Sequence, residues 1–235
     1  MIVHIWNHTM GLKQNLELAT QWLLKIQPTC CALCYCRQPL PICNRCLEQL
    51  KIESKTRTCI VCARPNMSWV CKLCFSRKQS FDETIFLCNP TSRLFSLFKE
   101  CSNGNIQSLS ALMFAWEQLC LNKMNPVDIV IPFPENLISS QKRGYCFSME
   151  LAKRIASLNN GKILPQSIDH FLGWDGDSSF RMVRNLNKNY PFHQLRIAVV
   201  VPLMRQDYPL QQLALLLKEL GAIWVSNWVL IRESK

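Results

Sequence analysis

A chain of 235 residues with 49% apolar residues and only 7 Gly is long enough for a small module plus one sizeable domain, and it excludes a largely disordered or low-complexity protein. Its formal charge of +11 is uneven, with eleven Lys/Arg against three Asp/Glu in residues 1–80 (+8) and sixteen against thirteen in residues 81–235 (+3). The 14 cysteines suit a secreted disulfide scaffold, but residues 1–30 lack the basic stretch and apolar core of a signal peptide and no eighteen-residue apolar window offers a membrane span, so a reducing cytoplasm is expected.

In residues 1–29, Leu12, Leu16, Ala19, Leu23 and Ile26 recur at helical spacing, with Thr9 placed to cap and Pro28 to stop. Trp22 widens the apolar face, so this reads as an amphipathic helix that packs on the rest of the chain. Residues 30–78 form the next unit. They contain Cys31-x-x-Cys34, eight residues, and Cys43-x-x-Cys46, and then, twenty-eight residues on, Cys59-x-x-Cys62, eight residues, and Cys71-x-x-Cys74. The spacing suits tetrahedral zinc, because each CxxC sets two thiolates on one tight knuckle and two knuckles close a sphere with Zn–S of about 2.3 Å. Two four-cysteine zinc ribbons with two structural zinc ions are therefore expected. The alternative, a disulfide framework, needs an oxidising compartment. Cys30 and Cys36 have no counterparts twenty-eight residues later and stand outside the site, as spare thiols or alternative ligands. Each four-cysteine centre carries −2, so two of them lower residues 1–80 from +8 to about +4. That mildly basic balance fits a nucleic-acid contact and an ordinary solvated surface alike.

Residues 79–235 change to longer elements. Thr84 to Cys88 reads as a strand stopped by Asn89-Pro90, and Arg93 to Glu100 as a helix. After Asn103-Gly104-Asn105, a second helix carries Ile106, Leu109, Met113, Trp116 and Cys120 on one face. Val127 to Phe133 is a buried parallel-type strand by its near-continuous hydrophobicity. The Pro132-Phe133-Pro134 loop, a basic turn Lys142-Arg143-Gly144 and a helix with Phe147, Leu151 and Ile155 inward come next. Residues 159–192 are irregular and hold a strand or two with loops. Leu195 to Val201 is again a strand, followed by a helix from about Pro209 with Leu210, Leu213, Leu217 and Leu220 inward and Gly221 as its stop. Ile223 to Ile231 is the last strand. Strand, helix, strand at these intervals predicts an α/β domain, a Rossmann-like parallel sheet with helices on both faces.

Other candidate sites are weaker. Asp175 and Asp177 flank a Gly without the Glu of a calcium loop, and His4, His8, His170 and His193 form no metal motif. Cys88, Cys101, Cys120 and Cys146 sit on or near apolar segments as small buried hydrophobes, although Arg143 stands close enough to Cys146 to lower a thiol pKa.

The whole order resembles the ComF family of competence proteins, which join N-terminal zinc-ribbon cysteines to a type I phosphoribosyltransferase domain. The resemblance is carried by the leucine-rich helix through Pro28, by Cys59-x-x-Cys62 and Cys71-x-x-Cys74, by Phe81-Asp82 and Phe98-Lys99, by Ile131-Pro132-Phe133-Pro134, and by Lys142-Arg143-Gly144-Tyr145. It implies a phosphoribosyltransferase-like domain over 79–235 and a role in DNA uptake and transformation, handling incoming single-stranded DNA in the cytoplasm. The family's phosphoribosyl pyrophosphate (PRPP) loop has two acids and a Thr/Gly-rich turn before a helix. Here the acids fall on Val201-Pro202 and the turn on Arg205-Gln206-Asp207, with Asp207 better read as an N-cap. Losing one positioned electrostatic group costs about 3–4 kcal/mol, roughly 10²–10³ in rate, so PRPP and Mg²⁺ are not expected as cofactors. Lys142, Arg143 and Gly144 remain candidates for an anion, a phosphate or a DNA backbone, with solvated loop charges as the equal alternative. Two other readings stand beside this one. The first is a divergent transferase using PRPP and Mg²⁺, and the second is a non-enzymatic scaffold that docks a DNA-uptake helicase or channel protein.

Overall fold

A computed structural model describes residues 30–55, 57–105, 107–135, 137–163, 172–174, 180–182 and 192–233. The helix expected in residues 1–29, Ile106, the Asp175–Asp177 turn, His4, His8 and His170 lie outside the described residues. The strands are β1 (Glu83–Cys88), β2 (Ile129–Pro132), β3 (Lys162–Ile163), β4 (Leu172–Trp174), β5 (Phe180–Met182), β6 (Arg196–Met204) and β7 (Trp224–Arg232). Five of them make one sheet in the order β1-β7-β6-β2-β3, every neighbouring pair parallel. The expected irregular stretch contributes β3 to this sheet, and β4 pairs antiparallel with β5.

The helices are α1 (Asn44–Glu53), α2 (Lys72–Ser76), α3 (Leu94–Ser102), α4 (Gln107–Cys120), α5 (Leu137–Arg143), α6 (Phe147–Leu158) and α7 (Tyr208–Glu219). Alternation along the central strands explains why helices cover both faces. Ala198 and Val200 of β6 and Trp228 and Leu230 of β7 meet Leu97, Leu112, Trp116, Leu151 and Ile155 of α3, α4 and α6. Their neighbours Val199, Val201, Val225 and Val229 meet Leu210, Leu213 and Leu217 of α7. Burial on both sides makes the strand sequence continuously apolar rather than alternating. Gly221 ends α7 with φ +99°, and a Cβ there would stand 3.0 Å from the His193 Cα, so both conformation and space call for glycine.

The expected elements of residues 79–235 that fall on described residues are present, and the chain differs from expectation in three places. The basic turn at Lys142-Arg143 is the last turn of α5, with Gly144 left-handed after it. The other two lie in the cysteine units, where the second CxxC of each is the start of a helix, α1 or α2, rather than a second knuckle. The reason is local: Cys43 and Cys71 have extended backbone at the N-cap position, and their sulfurs accept from the amides of Cys46 and Cys74.

The two units meet the sheet differently. Ile42, Leu47 and Leu50 of the first belong to the same buried cluster as α3, α4 and α6. The second has a small cluster of its own around Cys59, Cys62 and Cys74, and meets the sheet through Val61, packed against the α7-side cluster, and through polar bonds. Thr84 of the edge strand β1 donates its amide to Ile60 O (2.9 Å) and its hydroxyl to Val61 O (2.6 Å).

Candidate metal centres and the carboxyl end of the sheet

Each unit begins with a turn of the same construction. Tyr35 and Ala63, twenty-eight positions apart, are both left-handed (φ +59° and +58°) and donate their amides to the carbonyls of Cys31 and Cys59 at 2.8 Å. The amides of Cys43 and Cys71 then point at the sulfurs of Cys31 and Cys59 at 3.3 Å, and those of Cys46 and Cys74 at the sulfurs of Cys43 and Cys71 at 3.4 Å. These donors favour thiolate. Burial raises the Cys31 thiol, but the amides of Cys43, Leu33 and Cys34 outweigh it and bring it to about 6. For Cys59 burial is again opposed, by the amides of Cys62, Cys71 and Val61, and the result is about 7. A ligand sulfur that is thiolate near neutrality is what metal binding requires.

In the second unit the sulfurs of Cys59, Cys62, Cys71 and Cys74 lie within 4.8 Å of one another and can hold a metal ion, as the repeat predicts. In the first, the sulfurs within that distance are those of Cys31, Cys34, Cys36 and Cys43. Cys46 adjoins this set: burial, and then the Cys43, Cys34 and Cys31 thiols, push it up to about 12. The spacings Cys34–Cys43 (3.6 Å) and Cys62–Cys71 (3.7 Å) are close to the edge of about 3.8 Å of a tetrahedron with Zn–S of about 2.3 Å. All fourteen cysteines are free thiols. Cys36 is the residue that repeat logic passes over, because its counterpart is Arg64. The equivalence shows in the backbone, where Cys31 N donates to Cys36 O (2.9 Å) and Cys59 N to Arg64 O (2.8 Å).

Arg64 leads to the other end of the site. In open α/β sheets ligands bind beyond the carboxyl ends of the strands, and the second unit, whose Ile60 and Val61 lie beside the start of β1, reaches that end through Cys62 O and Arg64. Val201 and Pro202 are inside β6. Val200 faces β2, its carbonyl accepting from Phe133 (2.9 Å), so by alternation Pro202 faces the same side beyond the end of β2, where no ladder bond is lost. Arg205 and Gln206 are exposed in the turn. Asp207 occupies the N-cap position of α7, but its side chain makes no capping bond, contrary to the sequence expectation. It is held between two guanidiniums, Arg64 at 2.6 Å and Arg232 at 2.7 Å. Arg232 is 2% exposed and also donates to Cys62 O (3.1 Å), Met204 O (3.1 Å) and Glu233 O (2.8 Å). Burial draws its pKa down and Asp207 opposes the fall. A cleft of about 420 Å³ opens here between Arg64, Arg77, Lys78, Arg205 and Glu233. Arg77 and Lys78 are exposed and have no ion-pair partner among the described residues.

The other expected anion group is divided. Arg143 pairs with Glu135 and lies 6.0 Å over the Tyr145 ring, while Glu135 also accepts from the amide of Ser148 at the start of α6. Glu135 thus joins the end of α5 to the start of α6 with Arg143 committed to it, and Lys142 and Gly144 are left exposed. Sequence reasoning also passed over Trp69 and Phe75, which flank the last CxxC and are 83% and 87% exposed. Their interleaving with Lys72, Arg77 and Lys78 was the available signal. Among the described residues no helix is long and apolar enough to cross a membrane. Compared with models of known protein families and with curated proteins, the chain matches none.

Replacing Asp207 by Ala leaves a buried guanidinium without its counter-ion, and unfolding by denaturant should show a loss of about 3–5 kcal/mol. Arg205→Ala, which removes an exposed charge, should stay within about 0.5 kcal/mol. Burial raises Cys88, Cys101 and Cys120 to about 12, so each remains protonated at all lower pH. Alkylation of the folded protein at pH 8, read by mass spectrometry, should therefore spare these three while labelling the exposed Cys30.

Proposed function

We propose that this chain is a ComF-like protein of DNA uptake that holds two structural zinc ions and handles single-stranded DNA on its second ribbon, with little or no phosphoribosyl transfer. The observation that carries this reading is the pair of exposed aromatics, Trp69 and Phe75, in one short segment with Lys72, Arg77 and Lys78. Bases stack on aromatic faces whatever their sequence, and neighbouring cations follow the phosphates. Arg205 at the mouth of the cleft extends the basic surface to the start of α7. Zinc is favoured by the all-cysteine donor sets, since thiolate ligands in tetrahedral array suit it and the sites need no redox change. In each set the four sulfurs would hold the ion, and in the second they would also fix the segment that presents the aromatics.

The argument against transfer rests on chain chemistry. Val201-Pro202 supplies no acid toward ribose hydroxyls or Mg²⁺, and the two carboxylates nearby are engaged, Asp207 with Arg64 and Arg232 and Glu233 with Arg205. Exposed Met67 beside Trp69 also favours a second reading, a protein-docking face for a helicase or channel partner.

Titration of the zinc-loaded protein with a short single-stranded oligonucleotide across a salt series separates the two. We expect affinity to fall steeply with salt. Trp69→Ala and Phe75→Ala should each weaken binding by about 1–3 kcal/mol, roughly 5- to 150-fold, with zinc content unchanged. Absence of binding at low salt would remove the DNA reading and leave the docking one. Calorimetry with millimolar PRPP and Mg²⁺ should be flat, and a saturable heat would restore the transferase.

A further inference from the structure

Four thiols lie within 4.8 Å of one another at the first centre, and a fifth, Cys46, adjoins them. Cys34 Sγ lies 3.4 Å from Cys36 Sγ and 3.6 Å from Cys43 Sγ, and Cys31 completes a set within 4.8 Å. Cys46 adjoins them through its amide on Cys43 Sγ (3.4 Å) and its interactions with the Cys31 and Cys34 thiols. A tetrahedral ion takes four sulfurs, so one of the five is left over. The two that differ in surroundings are Cys36, which is exposed, and Cys46, which is 3% exposed and has Arg93 Nη1 of the main domain 3.9 Å from its sulfur.

We propose that Cys31, Cys34 and Cys43 are constant ligands of the first zinc and that Cys36 and Cys46 compete for its fourth position. Either choice leaves a stable remainder. A released Cys46 faces Arg93 Nη1 at 3.9 Å and a released Cys36 faces water, and in either case the outgoing sulfur takes up the proton that the incoming thiol gives up. In the exchange one Zn–S bond forms and one breaks, with no change of oxidation state. Because the fifth thiol adjoins the set, an ion held there would exchange one sulfur for another without passing through a three-sulfur state. The second centre has no such route, since Arg64 occupies the position equivalent to Cys36 and is bound to Asp207. The two centres of one repeat are therefore different in kind, the first exchangeable and the second fixed. The proposal rests on the zinc reading above.

Zinc per chain, measured on the full-length protein and its variants, tests both. The wild type should hold two and Cys74→Ser one, because the second centre has no reserve ligand. Cys36→Ser and Cys46→Ser should each keep two, and Cys36→Ser/Cys46→Ser should fall to one. A wild type with fewer than two zinc ions would fail the zinc reading, and the proposal with it. Loss of a zinc in either single variant, with the wild type at two, would overturn the competition alone. Should Cys46→Ser not fold, the cysteine 13Cβ resonances of the zinc-loaded wild type decide. Metal-bound and free populations at both Cys36 and Cys46 are expected, and Cys46 wholly bound with Cys36 wholly free would contradict it.

Discussion

Asp207 and the two guanidiniums on either side of it are the constraint on which the arrangement of the molecule depends. A buried arginine has five N–H donors to satisfy and a charge to balance. Arg232, at the end of the last strand, meets both demands by reaching the Cys62 carbonyl in the second cysteine unit, the Met204 carbonyl at the end of β6 and the Asp207 carboxylate before α7. Arg64 binds the same carboxylate from the cysteine unit. Three segments far apart in sequence are thereby fixed to one another, and the second unit is tied to the carboxyl ends of β6 and β7.

That tie relates the two parts of the protein. The second unit buries few apolar side chains of its own, so its shape follows from its four sulfurs and from its polar attachments to β1 and to Arg232. The first unit is secured otherwise, by Ile42, Leu47 and Leu50 in the main core. A unit held by its domain can tolerate a contested metal ligand, whereas a unit held by its metal has less freedom to do so. The basic, aromatic surface around Trp69 and Phe75 belongs to the second kind, and a rigid support is what a stacking platform needs.

Much of this was legible in the sequence, for identifiable reasons. The sheet and its helices announce themselves through local periodicity: Leu210, Leu213 and Leu217 share a helix face and are buried, and the apolar run of β6 marks a strand covered on both sides. The eight repeat cysteines were visible as spacing. What escaped notice depends on long-range contacts or on a broken repeat. Asp207 has the sequence position of an N-cap, and nothing local tells that an arginine 143 residues earlier claims its carboxylate. Cys36 was set aside because the second unit has Arg64 in its place, so comparison of the two halves removed a thiol that space puts back. Arg143 reads as a free cation because Glu135, its partner, lies eight residues earlier, ahead of the short helix α5 that brings the two together.

The second cysteine unit is tied to the carboxyl ends of β6 and β7 through Arg232 and Asp207, and its four sulfurs can hold the metal ion that would fix it. Amide hydrogen exchange, compared between metal-loaded protein and protein treated with a chelator, tests this claim most directly. Metal removal should raise exchange in residues 59–74 and, together with them, in residues 203–207 and 230–233. If residues 59–74 open while 203–207 and 230–233 keep their metal-loaded protection, the claim is contradicted.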